Sequence, residues 1–443
     1  MIRDTMMNCY PYSPEFEKAT YRKVTLRLIP FLILCFIIAY VDRINVGFAK
    51  LEMQKDLGMS DAVYGMAAGI FFIGYFFFEV PSNMALQRLG ARRWIAPIMI
   101  IWGCISSCTM FTRSAAFFYI IRFVLGLFEA GFFPGVILYL TFWYSRRHRA
   151  KMVAAFMTAI ALSGVIGGPI SGWILSNMSG MYGLKGWQWL FFLQGIPSVV
   201  VGSLVYYVLD DNPTKAKWLT ADERNLLVQR LAEDEEIKNA QGHSPHTLKD
   251  VFKSPAVWLF CLVYFGIIMG TYGIGFWLPQ IIQDSITKNV WKIGLISAVP
   301  WAFGAITMVW NGHHSDVTGE RRWHIALAAI IGSVAFAASG IPGISGLAAV
   351  IALSFATAGV MSALSSFWAL PTSILSATAA AAGIAWINSI GNLAGYVSPY
   401  IIGKIRDATH NMWHALLVLS AFCLMSALIV LCMPQKKNTI NNL

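Results

Sequence analysis

The stretch Gly312-His313-His314-Ser-Asp316-Val-Thr-Gly319-Glu-Arg321-Arg322 has a counterpart 229 residues upstream, Asn83-Met-Ala-Leu-Gln87-Arg88-Leu-Gly90-Ala-Arg92-Arg93. Both follow long apolar runs, and both end in paired arginines. A second repeat keeps nearly the same offset. Gly164-Val-Ile-Gly167-Gly168-Pro169-Ile-Ser-Gly172 matches Gly391-Asn392-Leu-Ala-Gly395-Tyr-Val-Ser-Pro399-Tyr-Ile-Ile-Gly403, with the prolines 230 residues apart. Two independent offsets that agree this closely indicate a duplicated unit.

Composition says what is duplicated. The 443-residue chain is 57% hydrophobic and only 12% charged, far from the balance of a soluble globular domain. Twelve apolar segments can be marked, 28–48, 62–82, 94–111, 116–143, 152–176, 187–209, 255–283, 291–312, 323–341, 346–374, 379–403 and 412–433, six before a long polar insert and six after it. They are about 20 residues long, the length a helix needs to cross hydrocarbon, whereas barrel strands would be shorter and alternating. The prediction is an all-α membrane protein with twelve transmembrane helices in two pseudo-symmetric six-helix halves. Such halves are related by an axis along the membrane normal and hold the substrate site between them near the midplane.

The domain boundaries follow: a cytoplasmic N-terminal segment at 1–27, six-helix bundles at 28–209 and 255–433, a cytoplasmic linker at 210–254 and a tail at 434–443. Within the linker, Thr220-Ala-Asp-Glu223 has the form of a capping box and precedes Leu226, Leu227 and Leu231 on one face, so a helix lying against the bundle is expected.

The net charge of +11 is carried in short clusters between apolar runs, which argues for membrane topology and against a nucleic-acid partner. Lys18, Arg22, Lys23 and Arg27 precede the first apolar run, and no small-residue cleavage site follows it, which reads as an uncleaved first helix with its N-terminus inside. The inside set then holds Arg88, Arg92, Arg93, Arg146, Arg147, Arg149, Lys151, Arg321, Arg322, Lys436 and Lys437. It outweighs Lys50, Lys55, Arg113, Lys185, Lys288, Lys292, Lys404 and Arg406 outside. Both termini are therefore expected in the cytoplasm, and the chain in a bacterial inner membrane.

Few charges lie deep in the apolar segments. Tyr40-Val-Asp42-Arg43-Ile-Asn45-Val-Gly47-Phe48 places an acid and a base in the first, Arg122 and Glu129 occupy the fourth, and Glu79 ends the second. Charges inside a membrane segment are costly and usually line a bundle interior or a water-filled path. Arg122 and Glu129 are seven apart, two turns along one face, so both can address one cavity. Two acids and two bases can neutralise one another before a substrate arrives. Asp42 and Glu129 are poised to exchange a proton when an arginine changes partner, while Arg43 and Arg122 offer bidentate donors to a carboxylate. Glu79, beside Pro81, is expected to pair with a loop arginine. Asn45 and Gly47 are given no role beyond packing.

The C-terminal half is nearly free of such charge, so neutral donors and aromatic walls are expected from it: Tyr272, Trp277, Trp368, and Asn388 and Asn392 on one helical face, with Tyr75 facing them. Cys104 and Cys108 read as packing residues, and His313 and His314 as loop residues, without a metal site.

The second loop copy, Gly312-x-x-x-Asp316-x-x-Gly319-x-Arg321-Arg322, resembles the signature loop of the major facilitator superfamily. The first copy departs from it at Asn83 and Gln87, so the usual acid-to-helix-end gating contact is not expected there, leaving Arg88, Arg92 and Arg93 beside Asp316, Arg321 and Arg322 as the gating-loop residues. Tyr40-Val-Asp42-Arg43-Ile-Asn45-Val-Gly47-Phe-Ala, Phe78-Glu79-Val-Pro81-Ser-Asn83, Gly126-Leu-Phe-Glu129-Ala-Gly131-Phe-Phe-Pro134-Gly135 and Asp211-Asn-Pro213-Thr-Lys-Ala-Lys217-Trp218-Leu-Thr are similar to the anion:cation symporter family, in its branch of tartrate, sugar-acid and aromatic-carboxylate permeases. That resemblance implies Asp42 and Glu129 as proton acceptors and Arg43 as an anion ligand.

The expectation is therefore a non-enzymatic secondary transporter that takes up a small organic carboxylate with protons by alternating access. Tartrate or a sugar acid is the first choice and an aromatic carboxylate the second. No cofactor is expected, sodium is the lesser candidate for the coupling ion, and the monomer is the expected functional unit. The chain has no Walker A loop, which disfavours a primary pump. An anion channel and a non-transporting sensor are the rival classes.

Overall fold

The computed structural model describes residues 12–240, 254–374 and 377–433. The expected tail at 434–443, with Lys436 and Lys437, lies outside them, as do the start of the N-terminal segment and the end of the linker.

Every regular element among the described residues is helical, as hydrocarbon demands when each backbone polar group must be satisfied within its own segment. In the first half these are α1 Pro14–Asp56, α2 Asp61–Leu89, α3 Ala91–Cys108, α4 Ala115–Glu129, α5 Phe132–Thr141, α6 Arg146–Met157, α7 Ala159–Met178 and α8 Gly186–Val208. The linker helix is α9, Ala221–Ala240. The second half holds α10 Pro255–Ser285, α11 Val290–Thr318, α12 Arg322–Ser339, α13 Gly346–Phe367, α14 Ala369–Ile374, α15 Ala377–Asn392, α16 Ala394–Thr409 and α17 Met412–Cys432.

Eleven helical segments among the described residues are long and apolar enough to cross a membrane. The remaining expected crossing is split into α15 and α16, which meet at Leu393. The apolar segments expected at 116–143 and 346–374 are likewise divided, after Glu129 and at Trp368, and the fifth is divided at Thr158.

Helix α1 is far longer than the apolar run suggested. Ser13 caps it, accepting from the Phe16 amide, and it ends only at Asp56, so Asp42 and Arg43 lie well inside the helix rather than in its last turns. The capping box of α9 forms as read: the Thr220 amide donates to Glu223 Oε2 at 2.8 Å, and the Glu223 amide to Thr220 Oγ1 at 3.2 Å. Leu226 and Leu227 are buried, and the Lys23–Glu223 and Arg230–Glu17 ion pairs, at 2.7 and 2.5 Å, fasten α9 to the start of α1.

The first-half helices meet the second-half helices along α1 against α10, α2 against α16 and α7 against α11. Small residues permit the approach. A Cβ at Gly47 would come within 2.8 Å of the Phe276 carbonyl oxygen, and one at Gly168 within 2.8 Å of the Gly294 oxygen. Cys104 and Cys108 are exposed on α3, which corrects their reading as packing residues.

Candidate functional site

Arg43 is the centre of the buried charge. Glu129 Oε1 accepts from its Nε at 2.9 Å and its Nη2 at 2.5 Å, and its Nη1 donates to the Tyr272 hydroxyl at 3.0 Å. The first two bonds join α1 to the end of α4, and the third crosses to α10 in the other half. The guanidinium also lies over the rings of Tyr40, Phe71 and Tyr75, 5.3 to 5.6 Å from their centroids, an arrangement favourable to a cation. Phe72 packs on Tyr272 at 4.4 Å between centroids. Of the four charges read together in the sequence, Arg43 and Glu129 thus pair directly, with Tyr75 and Tyr272 beside them.

Asp42 faces the other way. Fully buried, it accepts from Ser106 Oγ of α3 at 3.0 Å and from Ser198 Oγ of α8 at 2.7 Å. No ion pair of Asp42 occurs among the described residues. Both serines had escaped sequence reading. They converge because α3 and α8 approach at Gly103, where a Cβ would come within 2.8 Å of Ser198 Cβ.

Arg122 is equally buried, over the Phe71 ring at 5.1 Å, and none of its three guanidinium nitrogens has a hydrogen-bond partner among the described residues. The same holds for Glu129 Oε2, the Tyr40 hydroxyl and both polar atoms of Asn45. Buried polar groups are normally satisfied, so Arg122, Glu129 and Tyr40, close to Arg43, keep free hydrogen-bonding capacity that a polar partner could use. Asn45, two residues from Arg43 along α1, lies on a different face of the helix.

The other predicted residues are dispersed. Trp277 is buried edge-on against Tyr64 at 5.4 Å and under the Lys50 ammonium at 4.7 Å, away from the Arg43 partners. Trp368 packs against Tyr264 at 4.8 Å. Asn388 donates to Glu79 Oε1 at 2.8 Å across the two halves. This overturns the expected pairing of Glu79 with a loop arginine: the carboxylate points into the inter-half interface and meets α15. Asn392, half-buried, ends the same helix.

Of the gating-loop residues, Asp316 pairs with Arg321 at 2.6 Å, and Arg321 also donates to Ser315 Oγ at 2.9 Å. Arg322 is half-buried, and its Nε has no partner among the described residues. In the first-half copy, which lacks the loop acid, Asp211 from the linker accepts from the Arg92 amide at 3.2 Å at the start of α3. Arg88 and Arg93 line a linker-side cleft with Asp211 and Lys215. Gly90 makes the contact possible, because at φ 88° only glycine is relaxed and a Cβ would strike the Asp211 carboxylate. His314 and His324 share a hydrogen bond of 2.7 Å.

A second charged cluster closes the opposite end of the bundle, about 40 Å along α1 from Lys23 at the helical rise per residue. Lys50 is buried and pairs with Asp61 at 2.8 Å while donating to Gln280 at 2.6 Å. Arg406 of α16 binds both Asp61 oxygens and also Asp284 of α10. Asp407 accepts from the amides of Asp61 and Ala62 at the start of α2, at 2.9 and 2.8 Å. Sequence reading had counted Lys50 and Arg406 only as loop charges.

Paired six-helix halves around a shared buried charge define a secondary membrane transporter, and the comparisons agree. The chain belongs to the Major Facilitator Superfamily, whose model matches residues 32–399. It is 46% identical to the metabolite transport protein NicT of Pseudomonas putida, covering 95% of each chain, and 44% identical to a protein of Agrobacterium vitis named as a tartrate transporter, covering 95% of this chain and 96% of that one. These relatives accord with the anion:cation symporter branch. The xylose transporter XylE from E. coli superposes with a TM-score of 0.74 at 15% identity, over 93% of this chain and 98% of that one, which speaks for the fold. The protein is thus a multi-pass membrane transporter of small organic molecules, not an enzyme.

Proposed function

We propose that the protein takes up a small organic carboxylate together with protons, by alternating access between its two halves. The observation that carries this is the Arg43 guanidinium, held by Glu129 from its own half and by Tyr272 from the other. An incoming carboxylate competes with Glu129 for the planar donors of Arg43. A displaced Glu129 loses its counter-charge in a dry site, and taking up a proton restores neutrality. Asp42, held by two neutral serine donors, is the second proton acceptor. Carrying anion and proton together keeps the moving site near neutral, which lowers the cost of its passage through low dielectric. Arg122 supplies further donors to the substrate.

The substrate we favour is a tartrate- or sugar-acid-type hydroxy acid. Relatives named for tartrate support it, and Arg122 and Tyr40 have free polar atoms that can meet hydroxyl groups. An aromatic carboxylate is the second reading, supported by the rings of Tyr40, Phe71, Phe72, Tyr75 and Tyr272 around Arg43. Uptake of labelled tartrate, an aldonate and a hydroxybenzoate into proteoliposomes, under an inward proton gradient and under a sodium gradient, tests both choices. Accumulation driven by sodium alone, or no competition by any carboxylate, would sink the proposal.

A further inference from the structure

The carboxyl of Glu79 is left unused by this mechanism. It lies one turn along α2 from Tyr75, so it continues the helix face that meets Arg43. It is 7% exposed; Oε1 accepts from Asn388 of the opposite half at 2.8 Å, and Oε2 has no partner among the described residues. One turn further, Asn83 Oδ1 is also buried without a partner. Tyr75, Glu79 and Asn83 thus form a polar track along one face of α2, leading from the Arg43 site toward the linker side.

No ion pair of Glu79 occurs among the described residues. In and beside the membrane-spanning part, the titratable and charged groups on this helix and on those around it are Asp61, Tyr64, Tyr75 and Arg88 on α2, Tyr40, Asp42, Arg43 and Lys50 on α1, Arg92 and Arg93 at the start of α3, Tyr119, Arg122 and Glu129 on α4, Tyr139 on α5, Tyr396, Tyr400, Lys404, Arg406 and Asp407 on α16, and Tyr264 and Tyr272 on α10; Asp61 and the charges of α16 pair at the far end of the bundle. On α15 the facing group is the neutral amide of Asn388. Arg43 is committed to Glu129 and Tyr272. An ionised carboxylate buried without a counter-charge costs several kcal/mol, so the closed contact with Asn388 accommodates the neutral acid. Parting α2 from α15 admits water and accommodates the anion.

The geometry points to Glu79 as a further proton-carrying residue of the transport cycle, holding a proton while the halves meet at Asn388 and releasing it toward the linker side when they part. The inference rests on the proton-coupled reading above. The proton balance closes through Glu129: when the halves part, Glu79 gives its proton to water on that side; as the substrate leaves, Glu129 passes the proton it took up with the substrate along the Tyr75 face to Glu79 and pairs again with Arg43, so Glu79 is neutral before the halves close and one proton has crossed.

The test is net efflux of preloaded substrate from everted vesicles, which expose the linker side, with bath pH varied. Wild-type efflux should rise with pH, by up to about tenfold per unit on the acid side of the midpoint. Glu79→Gln, which keeps the acceptor for Asn388 but cannot ionise, should flatten the profile, and Glu79→Asp should restore the slope. A protonated-carboxyl infrared band lost in Glu79→Gln and shifted in Asn388→Leu would support the same assignment independently of transport rate. An unchanged slope in Glu79→Gln beside a sloped wild type overturns the inference. A wild type that is itself flat and shows no pH-driven uptake overturns the proton-coupled reading instead.

Discussion

Arg406 on the second half holds both carboxylate oxygens of Asp61 on the first, at 3.0 and 2.9 Å, and reaches Asp284 at 2.8 Å with its other terminal nitrogen. One side chain therefore ties α16 to α2 and α10 at the end remote from the linker. Side-chain exposures of 18% for Arg406 and 12% for Asp61 leave the pair partly screened, so its loss is worth about 1–3 kcal/mol, below the cost of breaking a fully buried pair. Arg406→Gln should shift the conformers toward opening at this end. Thiol labelling of a cysteine introduced at Met59 should quicken by about tenfold or more, with the effect shrinking at high salt. Equal labelling of wild type and variant would remove Arg406 from the gate.

The same closure depends on missing side chains. Gly403 of α16 lies so close to the Asp61 carbonyl, and Gly65 of α2 so close to the Pro399 carbonyl, that a Cβ at either position would overlap backbone. Backbone cannot swing aside as a flexible side chain can. Gly403→Val should disfavour the closed arrangement itself, leaving the opposite conformer populated and substrate turnover reduced by about 5- to 150-fold, from an overpacking cost of about 1–3 kcal/mol. Thermal unfolding measured alongside separates this from misfolding: a normal melting temperature with lost turnover is the expected pair of results.

The two-half fold was legible because duplication leaves its offset in the loop motifs and because hydrocarbon fixes helix length. The site was legible in part. Asp42, Arg43, Arg122 and Glu129 are conspicuous as charges in apolar segments, but a sequence fixes depth along a helix better than the distance between helices. It could not decide that Glu129 meets Arg43 rather than Arg122. Ser106 and Ser198 were invisible because a membrane serine or threonine ordinarily bonds its own preceding turn, as Ser163 does to the Ala159 carbonyl at 2.5 Å and Thr271 to Ile267 at 3.0 Å. The network at Lys50 was missed because the first apolar segment was ended at Phe48, whereas α1 continues to Asp56 and carries the lysine into the interface.

Arg43→Lys tests the fork at the site. Lysine keeps the charge, but it cannot donate to Glu129 through two nitrogens while reaching Tyr272 with a third. Charge-assisted hydrogen bonds are worth about 1.5–3 kcal/mol each, so substrate affinity in a direct binding assay should fall by roughly 10- to 150-fold. Tyr272→Phe removes one neutral acceptor and leaves the Glu129 pair intact, so a loss of about tenfold or less is expected. Should the two variants lose affinity equally, the cross-half bond rather than the guanidinium fork is the more important contact.

Asp42→Asn and Glu129→Gln should separate coupling from binding. Each keeps a polar side chain of the same shape, so at position 42 the amide oxygen accepts from one of Ser106 and Ser198 and the amide nitrogen donates to the hydroxyl of the other. Neither can take up or release a proton. Accumulation driven by a proton gradient should fall to background in both, while substrate counterflow, which needs no net proton movement, should persist. Undiminished accumulation in both variants would remove these carboxyls from the coupling mechanism.

The linker helix offers a pH test outside the membrane segments. Burial tends to raise the Glu223 carboxyl, but hydrogen bonds from Lys23 and from Thr220, together with the Lys23 charge, outweigh it and hold the group below its ordinary value. A carboxyl whose folded value is depressed contributes stability that is complete above its unfolded value of about 4.3 and is lost as pH falls through the folded value. Docking of α9 on α1 should therefore be constant from neutral pH down to about 5 and weaken below about 4. Hydrogen exchange across Ala221–Ala240 reads this directly. In Glu223→Gln the protection should be lower at neutral pH and should no longer fall as steeply on acidification, because the ion pair to Lys23 is already absent. A variant as protected as wild type at neutral pH would mean that the Arg230–Glu17 pair and the buried Leu226 and Leu227 hold the helix without help from Glu223.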